Sequence, residues 1–176
     1  MRSGLDLLDA ARTRTPSAQS MRGGAADAVP DERAALVAAL ITEFEPADAP
    51  LIRELTRQET TWVAAEDAGC GDVLLACCWL LFMIGHVEDA PLIWRAKNLN
   101  FDTHSYIDSV FLIPSGVAAT AEFARSAGVL DLAEWVEDDW LADEEEAAQR
   151  WRAGTFFARV PPAAAPVEQL AAWLRQ

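Results

Sequence analysis

The chain of 176 residues is poor in the residue types that carry out chemistry in enzymes and metal proteins. Its three cysteines, Cys70, Cys77 and Cys78, form no CxxC pair, so neither a zinc ribbon nor a redox motif is predicted. Two of them are adjacent inside an apolar segment, which favours buried, reduced thiols in a cytoplasmic protein. The motifs GxSxG, GxGxxG, HExxH and the phosphate loop are all missing. We therefore expect neither a cofactor nor a metal.

Positive charge is also scarce. The sequence has 14 basic residues against 28 acidic ones, a net charge of −14, and Lys97 is its single lysine. Binding to a nucleic-acid backbone depends on Lys and Arg displacing counterions, so a chain of this charge is expected to bind no nucleic acid. The same electrostatic field attracts a basic protein and speeds its association.

Long apolar segments are missing as well. The run from Val73 to Ile84 has 12 residues, whereas a transmembrane helix needs about 20. At the N-terminus, Leu7 and Leu8 are followed at once by Asp9, so no signal-peptide core is present. We expect no membrane association and a cytoplasmic location. Because the run has no polar face, it predicts a helix that other helices surround on all sides.

Apolar spacing and helix boundary signals predict an all-α fold. We expect eight or nine helices in stacked antiparallel hairpins, as a short α-solenoid or an irregular orthogonal bundle. Residues 1–30 are predicted to be a flexible leader, with a short helix around Gly4 to Arg12, and residues 31–176 a single helical domain. The predicted helices cover approximately residues 31–44, 50–68, 72–84, 89–98, 102–113, 117–127, 130–141, 143–153 and 166–174.

Two segments show resemblances to known proteins. The segment from Leu80 to Ile93 resembles the turn region of HEAT-type helical repeats, in which an apolar helix ends at a glycine and a second helix follows a short acidic turn. The segment from Ile93 to Thr103, with Ile107-Asp108 after it, resembles a signature of uncharacterised helical proteins of bacteria. Both resemblances imply a helical fold, and neither implies a reaction. Some small acidic helical proteins act as immunity partners of toxins.

Residues 131–146 contain nine acidic residues, two tryptophans and no basic residue. One interpretation is a solvated helix face, and the other is a docking surface for a cationic partner. Trp135 lies off the predicted inward stripe and is a candidate interface anchor. The residues assigned to this candidate surface are Glu134, Trp135, Glu137, Asp138, Asp139 and Glu144.

A second group of polar residues lies where the predicted fourth and fifth helices meet. It consists of Arg95, Lys97, Asp102, His104 and Asp108. His104 and Asp108 are four residues apart, so one helix would place both on one face, as a metal site needs, although further ligands are missing. Ion pairs between the two helices would explain the same residues structurally, while a small polar site for an anionic ligand is the functional alternative.

These observations lead to two function hypotheses. The first is a non-enzymatic protein-binding module that captures a basic partner through the acidic surface, with an immunity or antitoxin role as one example. The second is a small-molecule enzyme or ligand carrier that uses the polar group around Lys97. A filled junction with each ion paired would argue against the second hypothesis.

Overall fold

The computed structural model describes residues 3–14, 30–66, 69–138, 148, 152 and 165–175. In these residues the fold is all-α, as predicted, with nine α-helices and no strand. None of these helices has the length and apolar character needed to cross a membrane. The α-helices are α1 (Gly4–Arg14), α2 (Pro30–Glu43), α3 (Ala49–Glu66), α4 (Asp72–Ile84), α5 (Ala90–Lys97), α6 (Phe101–Tyr106), α7 (Val117–Ser126), α8 (Leu130–Val136) and α9 (Val167–Leu174).

Helix α4 is the centre of the fold, which confirms the interpretation of the apolar run. Every residue from Val73 to Phe82 is buried, because α4 packs against α2, α3 and α5. The helix ends at Gly85, whose φ of 86° lies in the left-handed region that glycine adopts without strain. At the other end Gly71 is the N-cap, and Asp72 lies in the first turn, where its carboxylate accepts a hydrogen bond from the Tyr106 hydroxyl.

Two ion pairs link α3 to its neighbours inside the fold. Arg33 of α2 pairs with Glu59 of α3, and both side chains are buried. Arg53 of α3 holds both carboxylate oxygens of Asp89, a buried residue in the turn between α4 and α5. Each buried carboxylate is therefore paired with a guanidinium, and such pairing is the condition under which buried charge is tolerated.

Helix α1 corrects the predicted domain boundary. The short helix expected near Gly4 is present, but it packs on α2 and α9, and Leu8 is fully buried. The Arg12 guanidinium donates to both carboxylate oxygens of Asp48 and to the carbonyl of Glu43, at the end of α2. Residues 4–14 therefore belong to the packed domain. The rest of the predicted leader, residues 15–29, lies outside the described residues.

The predicted helix 102–113 is wrong in its middle part. Helix α6 ends at Tyr106, Ile107 has extended backbone angles, and a 3-10 helix follows at Ser109–Leu112. The Asp108 carboxylate caps this second helix by accepting a hydrogen bond from the Val110 amide, at 3.0 Å. The N-cap of α6 is Asn100, whose side chain accepts a hydrogen bond from the Thr103 amide. The strong local capping tendency of Asp and Asn explains why the chain bends here.

The two ends of the described chain meet. Helix α9 packs mainly on α2 and also contacts α1, and its residues Val167, Leu170 and Leu174 are buried. In an open solenoid each repeat contacts only its neighbours along the chain. This contact between α9 and the first helices is instead typical of a closed bundle. The predicted helix 143–153 lies outside the described residues except for Ala148 and Arg152.

Candidate functional site

Helix α8 exposes a row of carboxylates. Leu132, Ala133 and Val136 are buried against α7 and the rest of the core, and this orientation turns the acidic positions outward. The exposed acidic residues on α8 and just after it are Asp131, Glu134, Glu137 and Asp138. The acidic surface predicted from the sequence is therefore present as an exposed face for Glu134, Glu137 and Asp138. Asp139 and Glu144 lie outside the described residues.

Three aromatic side chains form a cluster beside this acidic face. The Trp135 ring lies 5.4 Å from the Trp94 ring of α5, at an interplanar angle of 45°. The His104 ring of α6 meets Trp135 edge to face, with centroids 5.3 Å apart. All three side chains are half-buried. We call Trp94, His104 and Trp135 the aromatic cluster. The aromatic cluster therefore contains Trp135 from the predicted acidic surface and His104 from the predicted polar group.

Polar contacts hold the aromatic cluster in place. The Trp94 indole N–H donates to the Asp131 carboxylate at 2.8 Å, which links α5 to α8. The His104 Nδ1 atom lies 3.2 Å from the side-chain oxygen of Asn98, which links α6 to the end of α5. Since each ring is fixed by a neighbouring helix, the cluster loses little conformational entropy when a partner covers it.

Negative charge on this face is only partly neutralised. Within the described residues, one ion pair involves an acidic residue of the face, between Glu137 and Arg125 of α7, and both side chains are about half exposed. The Asp131 carboxylate accepts a hydrogen bond from the Trp94 indole, which carries no charge. Glu134 and Asp138 are exposed and are available to a cationic group from outside the chain.

Lys97 has a structural role at the junction of α5 and α6. It is 3% exposed, and its ammonium donates to the carbonyl oxygens of His104 and Ile107, the latter at 2.7 Å. These are carbonyls at the C-terminal end of a helix, which lack intrahelical donors. Burial lowers the pKa of the Lys97 ammonium, and the nearby Asp108 carboxylate opposes that shift. The ammonium closes this turn and is not presented to an anionic ligand.

The remaining members of the predicted polar site do not converge. Asp108 caps the 3-10 helix, Asp102 is exposed on α6, and Arg95 is exposed on α5. The break at Ile107 also places His104 and Asp108 on different elements, so the single helix face proposed for a metal pair does not exist. Among the described residues, no group of three or more metal-ligating side chains occurs.

Sequence reasoning missed two residues of the surface. Trp94 lies in the predicted helix 89–98 without any expected role, and it belongs to the aromatic cluster. Phe101 likewise has no expected role, and it is 83% exposed on α6. The sequence does contain a hint of the exposure of Phe101, because this residue directly follows Asn100, a residue type that is favoured as a helix N-cap. An asparagine cap fixes the orientation of the next turn, in which Thr103 is buried, so Phe101 must point elsewhere.

Comparisons with known proteins leave the family open. No protein-family model matches this chain, and no match was found among curated proteins or solved structures. The resemblances to HEAT-type repeats and to uncharacterised helical proteins of bacteria therefore stay predictions.

Proposed function

We propose that this chain is a non-enzymatic, cytoplasmic protein-binding module that captures a basic protein partner through the face formed by α8 and the aromatic cluster. The observation that carries the proposal is the position of Trp94 and Trp135 directly beside exposed carboxylates, of which Glu134 and Asp138 have no cation from the described chain. An immunity protein that neutralises a basic toxin is one example of such a module.

The geometry favours recognition over catalysis. Protein interfaces are enriched in tryptophan near their centre and carry charged residues at their rim. Here half-buried indoles are flanked by carboxylates, which is the same arrangement. The net charge of −14 adds a field that steers a cationic partner toward the chain. By contrast, Lys97 and Asp108 are occupied in backbone capping, so the alternative ligand site gains no support.

The proposal is tested by placing a photo-crosslinking amino acid at position 130, an exposed position of α8 that is not acidic, and irradiating the tagged protein in extracts of the organism that encodes it. We expect a crosslinked protein of basic isoelectric point. Its yield should fall as NaCl is raised from about 50 mM to about 500 mM, because screening shortens the Debye length. The double substitution Glu134→Lys with Asp138→Lys should abolish the crosslink formed from position 130.

A matched control changes the same net charge elsewhere. Asp9 on α1 and Glu122 on α7 are both exposed, so the pair D9K and E122K alters the total charge equally without touching the acidic face. We expect this variant to retain the crosslink. Equal losses in both double variants would show that net charge alone acts, and an acidic crosslinked partner or a salt-independent yield would overturn the proposal.

A further inference from the structure

Phe101 is the most exposed large apolar side chain in the described part of the chain, at 83%. It is the first residue of α6, and the reciprocal hydrogen bonds between Asn100 and Thr103 fix the backbone around it. The chain thus holds an aromatic ring in water at a defined position. A ring of this kind contributes contact area to a complex at a small cost in conformational entropy.

Phe101 lies one helical turn before His104, the member of the aromatic cluster on α6. Residues three positions apart on a helix lie on the same side, so Phe101 is on the side of α6 that carries His104. The His104 ring contacts Trp135, and Trp135 contacts Trp94. We call these four side chains the aromatic row, and Asp131, Glu134 and Asp138 lie on and just after the helix that supplies Trp135.

The charge of the chain restricts what can cover the aromatic row. A second copy carries the same charge of −14, and nucleic acids and anionic membrane surfaces are also negative, so each would be repelled by the neighbouring carboxylates. A cationic protein segment is attracted instead. The surface offers two features that attract cationic side chains, namely exposed ring faces and carboxylates.

We infer that the aromatic row and the carboxylates beside it bind a segment of the partner protein that presents arginine rather than lysine, an inference that rests on the proposed function. A guanidinium is planar, so it can stack on a ring while its edge donates two parallel hydrogen bonds to a carboxylate. It is also more weakly hydrated than an ammonium. Phe101 supplies a free ring for stacking, and Glu134 and Asp138 supply carboxylates without a partner in the described chain.

The experiment compares two fluorescent peptides of equal length and charge, one with arginine and one with lysine at the same positions, by fluorescence anisotropy with the full chain. We expect the arginine peptide to bind about threefold to fivefold more tightly, the size of a cation-π contribution at an exposed site. Phe101→Ala and Phe101→Leu should both bring the affinity for the arginine peptide down to that for the lysine peptide. The Leu variant keeps apolar area but removes the ring.

Leu5→Ala is the matched control, because Leu5 is an exposed apolar residue of α1, on an element that packs on α2 and α9. It should leave both affinities unchanged. If the two peptides bind equally, or if F101L retains the preference for arginine, the inference is wrong while the proposed function stands, provided that E134K with D138K still abolishes binding. If neither peptide binds, or if that double variant binds both normally, the proposed function fails as well.

Discussion

Arg53 and Arg57 lie one turn apart on α3 and differ in what their removal would leave behind. Arg53 neutralises Asp89, whose side chain is 2% exposed, whereas Arg57 contacts the partly exposed Glu54 at the helix surface. A buried carboxylate that loses its only strong cation is costly. An exposed pair of the i,i+3 type contributes little. The two substitutions therefore form a matched pair.

We predict that Arg53→Met lowers the free energy of unfolding by about 3 kcal/mol, because the buried Asp89 carboxylate is left without its guanidinium partner. Arg57→Met should change it by less than about 0.5 kcal/mol. Urea unfolding followed by tryptophan fluorescence measures both. Equal stability of the two variants would mean that water reaches Asp89 and that the pair with Arg53 is unimportant.

Because of the Asp48 carboxylate, the free energy of unfolding depends on pH in the acidic range. Burial by itself would raise the pKa of Asp48, but the hydrogen bonds from Arg12 and from the Glu45 amide, together with the charge of Arg12, lower the pKa overall. The unfolded chain then binds this proton more readily than the folded one. The stabilisation is complete above the ordinary pKa of 3.8 and is lost as the pH falls through the lower folded value.

We predict that Asp48→Asn costs about 2 kcal/mol near pH 7 and that its difference from the parent chain shrinks as the pH falls below about 4. Urea unfolding over that pH range gives the comparison. Asp9→Asn, on the exposed side of α1, serves as the control and should follow the parent profile. A constant difference at all pH values would show that the ion pair with Arg12 does not form.

At the scale of elements, α1 docks through a close backbone approach at Gly4. A Cβ added at this position would lie 2.4 Å from the Ala35 carbonyl oxygen of α2 and 2.8 Å from a methyl carbon of Val167 in α9. Backbone atoms cannot move aside as a flexible side chain does. The absence of a side chain at Gly4 is therefore what lets three helices meet.

We predict that Gly4→Ala destabilises the fold by about 1 to 3 kcal/mol and weakens the docking of α1. Gly71→Ala is the matched control, because a Cβ there meets nothing within 4 Å and its φ of −75° suits alanine. That variant should change stability by less than about 1 kcal/mol, because the lower entropy of the unfolded chain opposes the cost of alanine at the N-cap of α4, and it should leave the protection of α1 unchanged. Thermal unfolding of both variants, with hydrogen exchange of α1 amides, measures the effect. If the α1 amides of G4A are as well protected from hydrogen exchange as those of the parent chain, the docking of α1 does not depend on Gly4.

The break between α6 and the following 3-10 helix shows why one polar site could not be predicted. The apolar spacing from Tyr106 to Ile113 fits one helix, which is why the sequence predicts a continuous helix over this segment. The outcome depends on Asp108 capping locally and on Lys97 reaching the carbonyls of His104 and Ile107. The second contact is made by a residue from a different helix, and the order of residues along the chain does not reveal it.

At the scale of the whole molecule, α9 closes the fold by packing on α2. Leu170 is fully buried, although it lies more than 120 positions after the last residue of α2 in the sequence. In a solenoid, a cavity in the terminal helix would loosen only the adjacent repeat. In a closed bundle it loosens the N-terminal helices too.

We predict that Leu170→Ala costs about 2 to 5 kcal/mol and speeds hydrogen exchange more in α1 and α2 than in α7 and α8. Native-state hydrogen exchange with mass spectrometry resolves these segments. Glu168→Ala, an exposed change on the same helix, should leave the pattern unchanged. Faster exchange confined to α9 would indicate that the ends of the chain are independent.

Apolar spacing and net charge are local or additive properties, so they were sufficient to predict the helical class, the burial of α4 and the acidic character of α8. It also indicated the helix ends at Gly85 and Gly128, where the backbone has positive φ. Three features depend on tertiary packing instead: α9 returns to α2, Lys97 is a buried cap, and Trp94 and His104 contact Trp135. These are contacts between elements distant along the chain, and the packing of the whole core sets which side chains come within reach.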